Sequence, residues 1–266
     1  MSTISASDVK KLRDQTGAGM MDCKKALSEA EGDFEKAIEL LRLKGQKLSL
    51  KRAEREAKEG VVVALISDDN KRGVVVKNDD FIALTQRIAE IALDAFPETI
   101  EDLSKLEMDG VTIEEKVIEQ VGKIGEKIEL ASYERLEDAL IVPYIHTGYR
   151  AGVIVSLNKA SDSFQEAGRD VAMQVAAMKP VAVDKDGVDQ SVIEKEVEIG
   201  KELARQEGKP EQLLEKIAMG KLNKFFKEQT LLNQVFVKDS SVSVGQYLKQ
   251  LDKDLTVNDF KLVALG

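Results

Sequence analysis

The chain has 266 residues, of which 43% are hydrophobic and 33% are charged, and its formal net charge is −9. These proportions are typical of a folded, well-solvated protein of two domains, or of one domain with appendages. The negative charge argues against a general nucleic-acid binder, because that affinity depends on clustered Lys and Arg side chains. The sequence contains no run of about 18 apolar residues, the length that spans a membrane. We therefore expect neither a membrane nor direct nucleic acid as a partner.

Side chains that carry chemistry are scarce. The single histidine, His146, and the single cysteine, Cys23, are far apart in sequence and cannot by themselves form a His-rich or thiolate metal site. One cysteine permits no internal disulfide, which fits a reducing, cytoplasmic compartment. The sequence has no glycine-rich phosphate loop, GxSxG or HExxH motif. We expect no catalytic residue, metal or cofactor and therefore no enzyme, although a site made only of carboxylates stays open.

Residues 1–45 predict three short helices. Ser5 or Ser7 can cap the first, and Gly17 and Gly19 then permit a turn with positive φ. The second helix covers residues 20–29 and the third begins after a cap at Asp33. The apolar faces of the three helices recur at helical spacing and comprise Val9 and Leu12, then Met20, Cys23, Ala26 and Leu27, then Phe34, Ala37, Ile38 and Leu41.

Residues 46–59 are highly charged and helix-forming, which predicts a solvated helical linker. A basic tether for nucleic acid is the alternative. Beyond the linker, β-branched runs at 61–66 and 72–76 predict a hairpin, and a helix ending before Pro97 follows it. Its predicted apolar face comprises Phe81, Leu84, Ile88, Ile91 and Ala92.

The hairpin-and-helix order returns about 80 residues later, with strands at 140–145 and 150–155. In the two helices, Phe81, Ile88 and Ala89 align with Phe164, Val171 and Ala172. We interpret this as an internal duplication. The remaining predictions are a helix at 113–121, an approach to a strand at 124–130, a helical hairpin at 191–206 and 210–227, a helix at 242–251 and a closing strand at 259–265.

The sequence thus predicts the α+β class: a helical bundle, then a duplicated antiparallel-sheet-plus-helix core with an inserted helical hairpin. The predicted domains are the bundle at 1–45, the linker at 46–59, a first core repeat at 60–139, and a second at 140–266 that contains the hairpin at about 190–228.

Residues 9–13, VKKLR, and 16–27, TGAGMMDCKKAL, closely resemble the amino-terminal signature of bacterial elongation factor Ts. The match is specific because the whole string is present. Further stretches resemble the same family in the expected order, so the resemblance covers essentially the whole chain: 123–128, 146–155, 172–180, 208–210 and 234–238. It implies a UBA-like N-terminal module and a two-part core.

What the resemblance implies is a guanine-nucleotide exchange factor of translation elongation. Such a factor binds the GDP-bound GTPase elongation factor Tu and promotes GDP release by disturbing the Mg²⁺ and phosphate site. The alternative is an adaptor that grips the GTPase without efficient exchange. Further rivals are an RNA-associated factor that uses the linker, and a carboxylate hydrolase for which no paired site can be named.

The resemblance also implies partner-binding residues. Arg13, Met20 and Met21 occupy positions that face the nucleotide domain of the GTPase, although helical phase leaves open that Met20 fills the bundle core. Ile124 and Gly125 belong to the implied surface. His146 resembles a family histidine near the partner, and an incidental surface residue is the alternative.

In the family, a Thr-Asp-Phe-Val loop before the helix of the first repeat wedges into the GTPase. This chain departs from that pattern at residues 76–82. One alignment makes Asp80, Phe81 and Ile82 a variant of the wedge. The other takes these residues as the helix start that follows the wedge, with about ten residues absent and Phe81 in the core.

Overall fold

The computed structural model describes residues 4–16, 18–52, 60–78, 82–124 and 128–265, with the backbone alone at 42, 45–52 and 122–124. In this part of the chain it has ten α-helices and ten strands, so the protein is of mixed α and β structure, as predicted. In chain order the elements are α1 (Ala6–Thr16), α2 (Met20–Glu29), α3 (Phe34–Arg52), β1 (Val61–Ile66), β2 (Arg72–Asn78), α4 (Ile82–Ala95), α5 (Ile100–Lys105), β3 (Glu107–Met108), β4 (Val111–Thr112), α6 (Ile113–Ile124), β5 (Leu130–Glu137), β6 (Leu140–Ile145), β7 (Ala151–Leu157), α7 (Gln165–Met178), α8 (Gln190–Gln206), α9 (Glu211–Gln229), β8 (Val235–Phe236), β9 (Asp239–Ser243), α10 (Val244–Leu251) and β10 (Val257–Ala264).

The chain divides into two compact units. Unit 1 comprises Met1–Val63, Val76–Tyr133 and Leu265–Gly266, and unit 2 comprises Ala64–Val75 and Glu134–Ala264. Two sheets have three strands each, in the orders β1-β2-β5 and β10-β7-β6, and two further sheets are the pairs β3-β4 and β8-β9.

Helices α1 to α3 in unit 1 enclose a small apolar core. Ser5, of the two predicted caps, accepts a hydrogen bond from the Asp8 backbone N at 3.1 Å through its hydroxyl. Asp33 caps α3, because its carboxylate accepts from the Lys36 backbone N at 3.1 Å. The three predicted helices are present, and their predicted apolar faces are confirmed except at Met20, which is exposed. The fully or nearly buried residues of this core are Val9, Leu12, Ala18, Cys23, Ala26, Leu27, Ala30 and Ala37.

The two breaks between these helices differ in backbone conformation. Glu31 and Gly32 both have positive φ, 55° and 88°, which ends α2 abruptly. The predicted positive φ is wrong for Gly19, whose φ of −61° is that of ordinary extended backbone. Gly17 lies outside the described residues. Because Gly19 stands as the N-terminal cap of α2, its backbone needs only the conformation that any residue adopts at a cap.

The third helix, α3, runs from Phe34 to Arg52 and packs against α6 within unit 1. It therefore continues into the segment predicted as a helical linker. The rest of that segment, residues 53–59, lies outside the described residues.

The core of unit 2 lies between the β10-β7-β6 sheet and α7. Strand β7 is central and pairs antiparallel with β6 and with β10. Helix α7 approaches the sheet at Gly168, where an added Cβ would lie 2.4 Å from Val142 Cγ2. Only a residue without a side chain permits this helix-to-sheet distance. The buried side chains of this core are Leu140, Val142, Val153, Val155, Leu157, Ala167, Val171, Ala172, Val175, Leu231, Phe236, Val244, Leu248, Leu255 and Val257.

The predicted hairpin-and-helix order occurs at both places, as β1, β2 and α4 and as β6, β7 and α7. The first strand of each hairpin, Val61–Ile66 and Leu140–Ile145, has the predicted bounds. The second strands, Arg72–Asn78 and Ala151–Leu157, each end two residues beyond the predicted position. That the two segments arose by duplication stays a prediction.

The predicted helical hairpin consists of α8 and α9. The helices pack closely at Gly200, where an added Cβ would lie 3.1 Å from Ala218 Cα. Ion pairs join Lys201 with Glu215 at 2.7 Å and Arg205 with Glu211 at 3.0 Å. These pairs match residues in reverse order, so the two helices are antiparallel.

Candidate partner-binding surface

Three sequence-predicted residues lie on the first two helices of unit 1, and their side chains are exposed. Arg13 lies on α1, and Met20 and Met21 begin α2. Met21 is 77% exposed, the highest value among the large apolar side chains that the structure describes. Met20 is 45% exposed, so it does not fill the core that Cys23, one turn later, occupies fully.

An ion pair holds α2 against α3 beside these methionines. Lys44 Nζ on α3 contacts the carboxylate of Asp22, the residue that follows Met21. Methionine is flexible and polarizable, so an exposed pair of methionines forms an adaptable apolar contact surface. A helix that is fixed behind such a pair presents it in one orientation.

A partly open cavity that the sequence did not predict lies behind the same ion pair, in unit 1. Its apolar floor includes Ile38, Leu41 and Val111. Four of the charged residues that line it form two ion pairs, Asp22 with Lys44 and Lys116 with Glu119, the latter at 3.3 Å. Because the residues that line the cavity come from α1, α2, α3, β4 and α6, no local pattern could have indicated it.

The segment around the predicted wedge is described on both sides. Strand β2 ends at Asn78 and α4 begins at Ile82, which is half-exposed. Asp80 and Phe81 lie outside the described residues, so the choice between the two alignments stays open. Asn78 is fully buried, and its amide N and O are the only such side-chain atoms in the described part of the chain that lack a hydrogen-bond partner.

The predicted partner-binding residues Ile124 and Gly125 lie at the end of α6 and just beyond it in sequence. Ile124 is the last residue of α6, which continues three residues beyond the predicted helix end, and only its backbone is described. Gly125 lies outside the described residues.

His146 lies in the exposed turn between β6 and β7, in unit 2. Its backbone N donates to Ala151 O at 2.8 Å, and its carbonyl O accepts from Tyr149 N at 3.0 Å. Gly148 and Tyr149 close the turn with φ of 80° and 58°. The Tyr144 hydroxyl lies 3.1 Å from His146 Nδ1, so the imidazole is held on a fixed surface turn.

A buried polar network in unit 2 was missed by the sequence reasoning, although residues 234–238 carry part of the resemblance. Gln174 and Gln234 are fully buried or nearly so, and Gln174 Nε2 donates to Gln234 Oε1 at 3.0 Å. These two glutamines are 60 positions apart in sequence. The local sequence Val235-Phe236-Val237 is uniformly apolar, so it does not indicate which of the three side chains is buried.

Beside this network, Tyr247 has a raised pKa because of its partial burial and its contact with Asp170. Asp170, on α7, accepts from Lys238 Nζ at 2.5 Å and from the Tyr247 hydroxyl at 3.4 Å. Partial burial and then the negative charge of Asp170 raise the pKa of Tyr247 to about 12. The phenol therefore stays protonated and remains a hydrogen-bond donor across the neutral range.

Two general features bear on function. In the described residues, no group of three or more His, Cys, Asp or Glu side chains is placed to hold a metal ion. None of the helices, over the ranges that the structure describes, combines the length and apolar composition that crossing a membrane requires.

Comparison with known proteins assigns the class of this fold. A protein-family model described as Elongation factor TS matches residues 73–266. An elongation factor Ts from Amoebophilus asiaticus is 52% identical over 274 residues, 99% of each chain. Those from Cytophaga hutchinsonii and Christiangramia forsetii are 53% and 49% identical over 278 and 276 residues, 100% of each chain.

The chain belongs to the elongation factor Ts family. As a member of that family it is a translation elongation factor.

Proposed function

We propose that this chain is a guanine-nucleotide exchange factor that binds elongation factor Tu in its GDP form and promotes release of GDP. The observation that carries the proposal is the exposed Met20–Met21 pair on α2, a helix whose buried Cys23, Ala26 and Leu27 hold it in the three-helix core. Family membership and the intact TGAGMMDCKKAL string support it.

The proposed mechanism is one of linked binding. A protein that prefers the nucleotide-free GTPase must weaken nucleotide binding by the factor by which nucleotide weakens its own binding. This chain's residues supply contacts: Arg13 a charge, Met20 and Met21 an apolar surface, and His146 a further contact from unit 2. No covalent bond is made or broken by the chain, so it acts as a binding factor without enzyme activity, in the cytoplasm.

Ile82, Ile124 and Gly125 belong to the same proposed surface. So do Asp80 and Phe81, if they form the variant wedge. The domain division at 1–45, 46–59, 60–139 and 140–266, with a UBA-like first module and a duplicated core, is part of the proposal.

The second candidate function is an adaptor that grips the GTPase but exchanges nucleotide poorly. The alignments with the Cytophaga hutchinsonii and Christiangramia forsetii proteins span 278 and 276 positions, ten to twelve more than the 266 residues of this chain. This difference agrees in size, and only in size, with the roughly ten residues that the second alignment takes as absent from the wedge region. A chain without that loop would keep the contacts of its helical module.

One experiment separates the two functions. Elongation factor Tu is loaded with a fluorescent GDP analogue, and its release is followed with substoichiometric and then excess chain, beside a separate affinity measurement. Release accelerated by substoichiometric chain supports exchange, whereas tight binding without acceleration supports the adaptor. Absence of binding to both loaded and nucleotide-free GTPase excludes both functions.

A further inference from the structure

The Gln174 side chain bonds to the backbone of β8 on both sides of Phe236. Its Nε2 donates to the Val235 carbonyl O at 3.1 Å, and its Oε1 accepts from the Val237 backbone N at 2.8 Å. In an extended strand these two backbone groups point to the same side. The opposite side is already engaged, because the carbonyl O of Gln234 accepts from Val244 N at 3.0 Å. The amide of Gln174 therefore takes the place that a neighbouring parallel strand would occupy.

Further hydrogen bonds brace this amide at both ends of the strand. Toward the N-terminal end, Gln174 Nε2 also donates to Gln234 Oε1, and Gln234 Nε2 donates to Glu228 O at 3.0 Å. At the other end, Lys238 is paired with Asp170, which lies one helical turn before Gln174 on α7. Because Gln174 is fully buried, these bonds form in a low dielectric, where a satisfied network fixes one conformation.

The result of this bracing is a sharp alternation of side chains. Phe236 is 3% exposed and stacks on Tyr247 with ring centroids 4.2 Å apart. Val235 and Val237, the valine pair, are 59% and 52% exposed. The core of unit 2 uses Phe236 and does not use the valine pair, so the fold itself gives no reason for holding two aliphatic side chains outward.

We propose that Gln174 is a positioning residue for partner binding: it holds residues 235–237 extended so that the valine pair contacts the GTPase. This inference rests on the function proposed above. Lys238, next to the valine pair, is paired with Asp170, and the following residue is the exposed Asp239, so this stretch carries no excess positive charge. Such a surface suits an apolar patch on a protein rather than phosphate groups.

The test uses the full-length chain and nucleotide-free elongation factor Tu, with affinity measured by calorimetry. Gln174→Met keeps the length of the side chain and removes all three hydrogen bonds, and Val235→Ser with Val237→Ser removes the apolar contact alone. Val192→Ser, at an exposed valine on α8, is the matched control. We expect the first two variants to bind at least about tenfold more weakly, since a few central apolar residues carry most of an interface's affinity. The control should bind like the original chain.

Gln174→Glu supplies a readout that a purely structural role would not move. The neutral carboxylic acid has the shape of the amide and can donate one hydrogen bond, whereas the carboxylate cannot donate. Burial raises the pKa of such a group. Affinity relative to the original chain should therefore be largely retained near pH 5 and lost near pH 8, whereas Gln174→Met should be weak at both. Asp170, Lys238 and Tyr247 are present in every variant, so their own titration cancels in the ratio.

Amide hydrogen exchange measures the hydrogen bond between Gln174 and the Val237 backbone N in the chain alone, without the GTPase. The Val237 amide should be protected in the original chain and lose protection in Gln174→Met. If protection is lost while affinity is kept, or if the double serine variant binds normally, the positioning role is refuted although the proposed function stands. If the original chain does not bind the GTPase at all, the proposed function has failed. The hydrogen-exchange data still show whether Gln174 protects the Val237 amide.

Discussion

Replacing Asn78 with leucine should raise the free energy of unfolding. The Asn78 side chain is fully buried at the end of β2, and its amide N and O have no hydrogen-bond partner among the described residues. A buried polar group without a partner costs about 1–3 kcal/mol relative to a satisfied one. Leucine branches at the same carbon and has nearly the same shape, so the substitution removes the unsatisfied atoms without opening a cavity. We expect a gain of about 2 kcal/mol.

The assay is chemical denaturation followed by circular dichroism, with thermal unfolding beside it. A gain of this size corresponds to a rise in Tm of about 4–8 °C for a protein of this length. Thr230→Val is the matched control, because Thr230 is equally buried but satisfied: its hydroxyl donates to Phe226 O at 2.6 Å. That variant should lose about 1 kcal/mol. If Asn78→Leu destabilises the chain to a similar degree, the amide is engaged in the folded protein and the reasoning is wrong.

Three further predictions follow from the surface and the packing. Met21→Glu together with Arg13→Glu should weaken binding to elongation factor Tu and leave the unfolding transition unchanged, since both side chains are exposed; a titration beside a melting curve checks this, and unchanged affinity would count against the helical contact. Gly73→Ala should cost about 1–3 kcal/mol in denaturation, because its Cβ would lie 2.6 Å from Ile141 Cγ2; Ile141→Leu, which lacks that methyl, should recover part of the loss, and no recovery would point to another cause. The pKa of Tyr247 is raised to about 12 in the folded chain against about 10 when unfolded. Its contribution to the free energy of unfolding is therefore complete below about pH 10 and is lost as pH rises toward 12. Tyr247→Phe should flatten this decline in denaturation measured at stepped pH, and an equally steep decline would refute the prediction.

Most elements could be predicted from local patterns. The β-branched runs at 61–66 and 140–145 predict strands with the observed bounds. The first four residues of β1 and the first three of β6 are buried in succession, and such continuous burial favours an unbroken run of β-branched and other apolar residues. Helical spacing in residues 20–29 predicts the bounds of α2 in the same way. Helical phase alone could not place Met20, which shares a face with Cys23 but lies in the first turn, beyond the reach of the bundle core.

The remaining features depend on residues that are far apart in sequence. Gln174 hydrogen-bonds residues about 60 positions later in the chain, and nothing in the sequence of its own helix indicates which residues these are. The contrast between Asn78 and Gln174 is equally invisible in the sequence, since both are buried amides and only one has hydrogen-bond partners. The close approach at Gly73 likewise requires the position of Ile141, on another strand.

The complete burial of Cys23 allows the opening of the three-helix module to be measured by thiol labelling. Its thiol is enclosed by the Thr16 hydroxyl at 3.9 Å and the Ala18 carbonyl O at 3.6 Å, so a thiol reagent cannot reach it while α1 and α2 stay together. Each modification event therefore registers one opening of this module. Since the sequence contains no second thiol, no other residue of the chain is labelled. The labelling rate with and without a bound partner would therefore show whether binding slows the opening of α1 and α2.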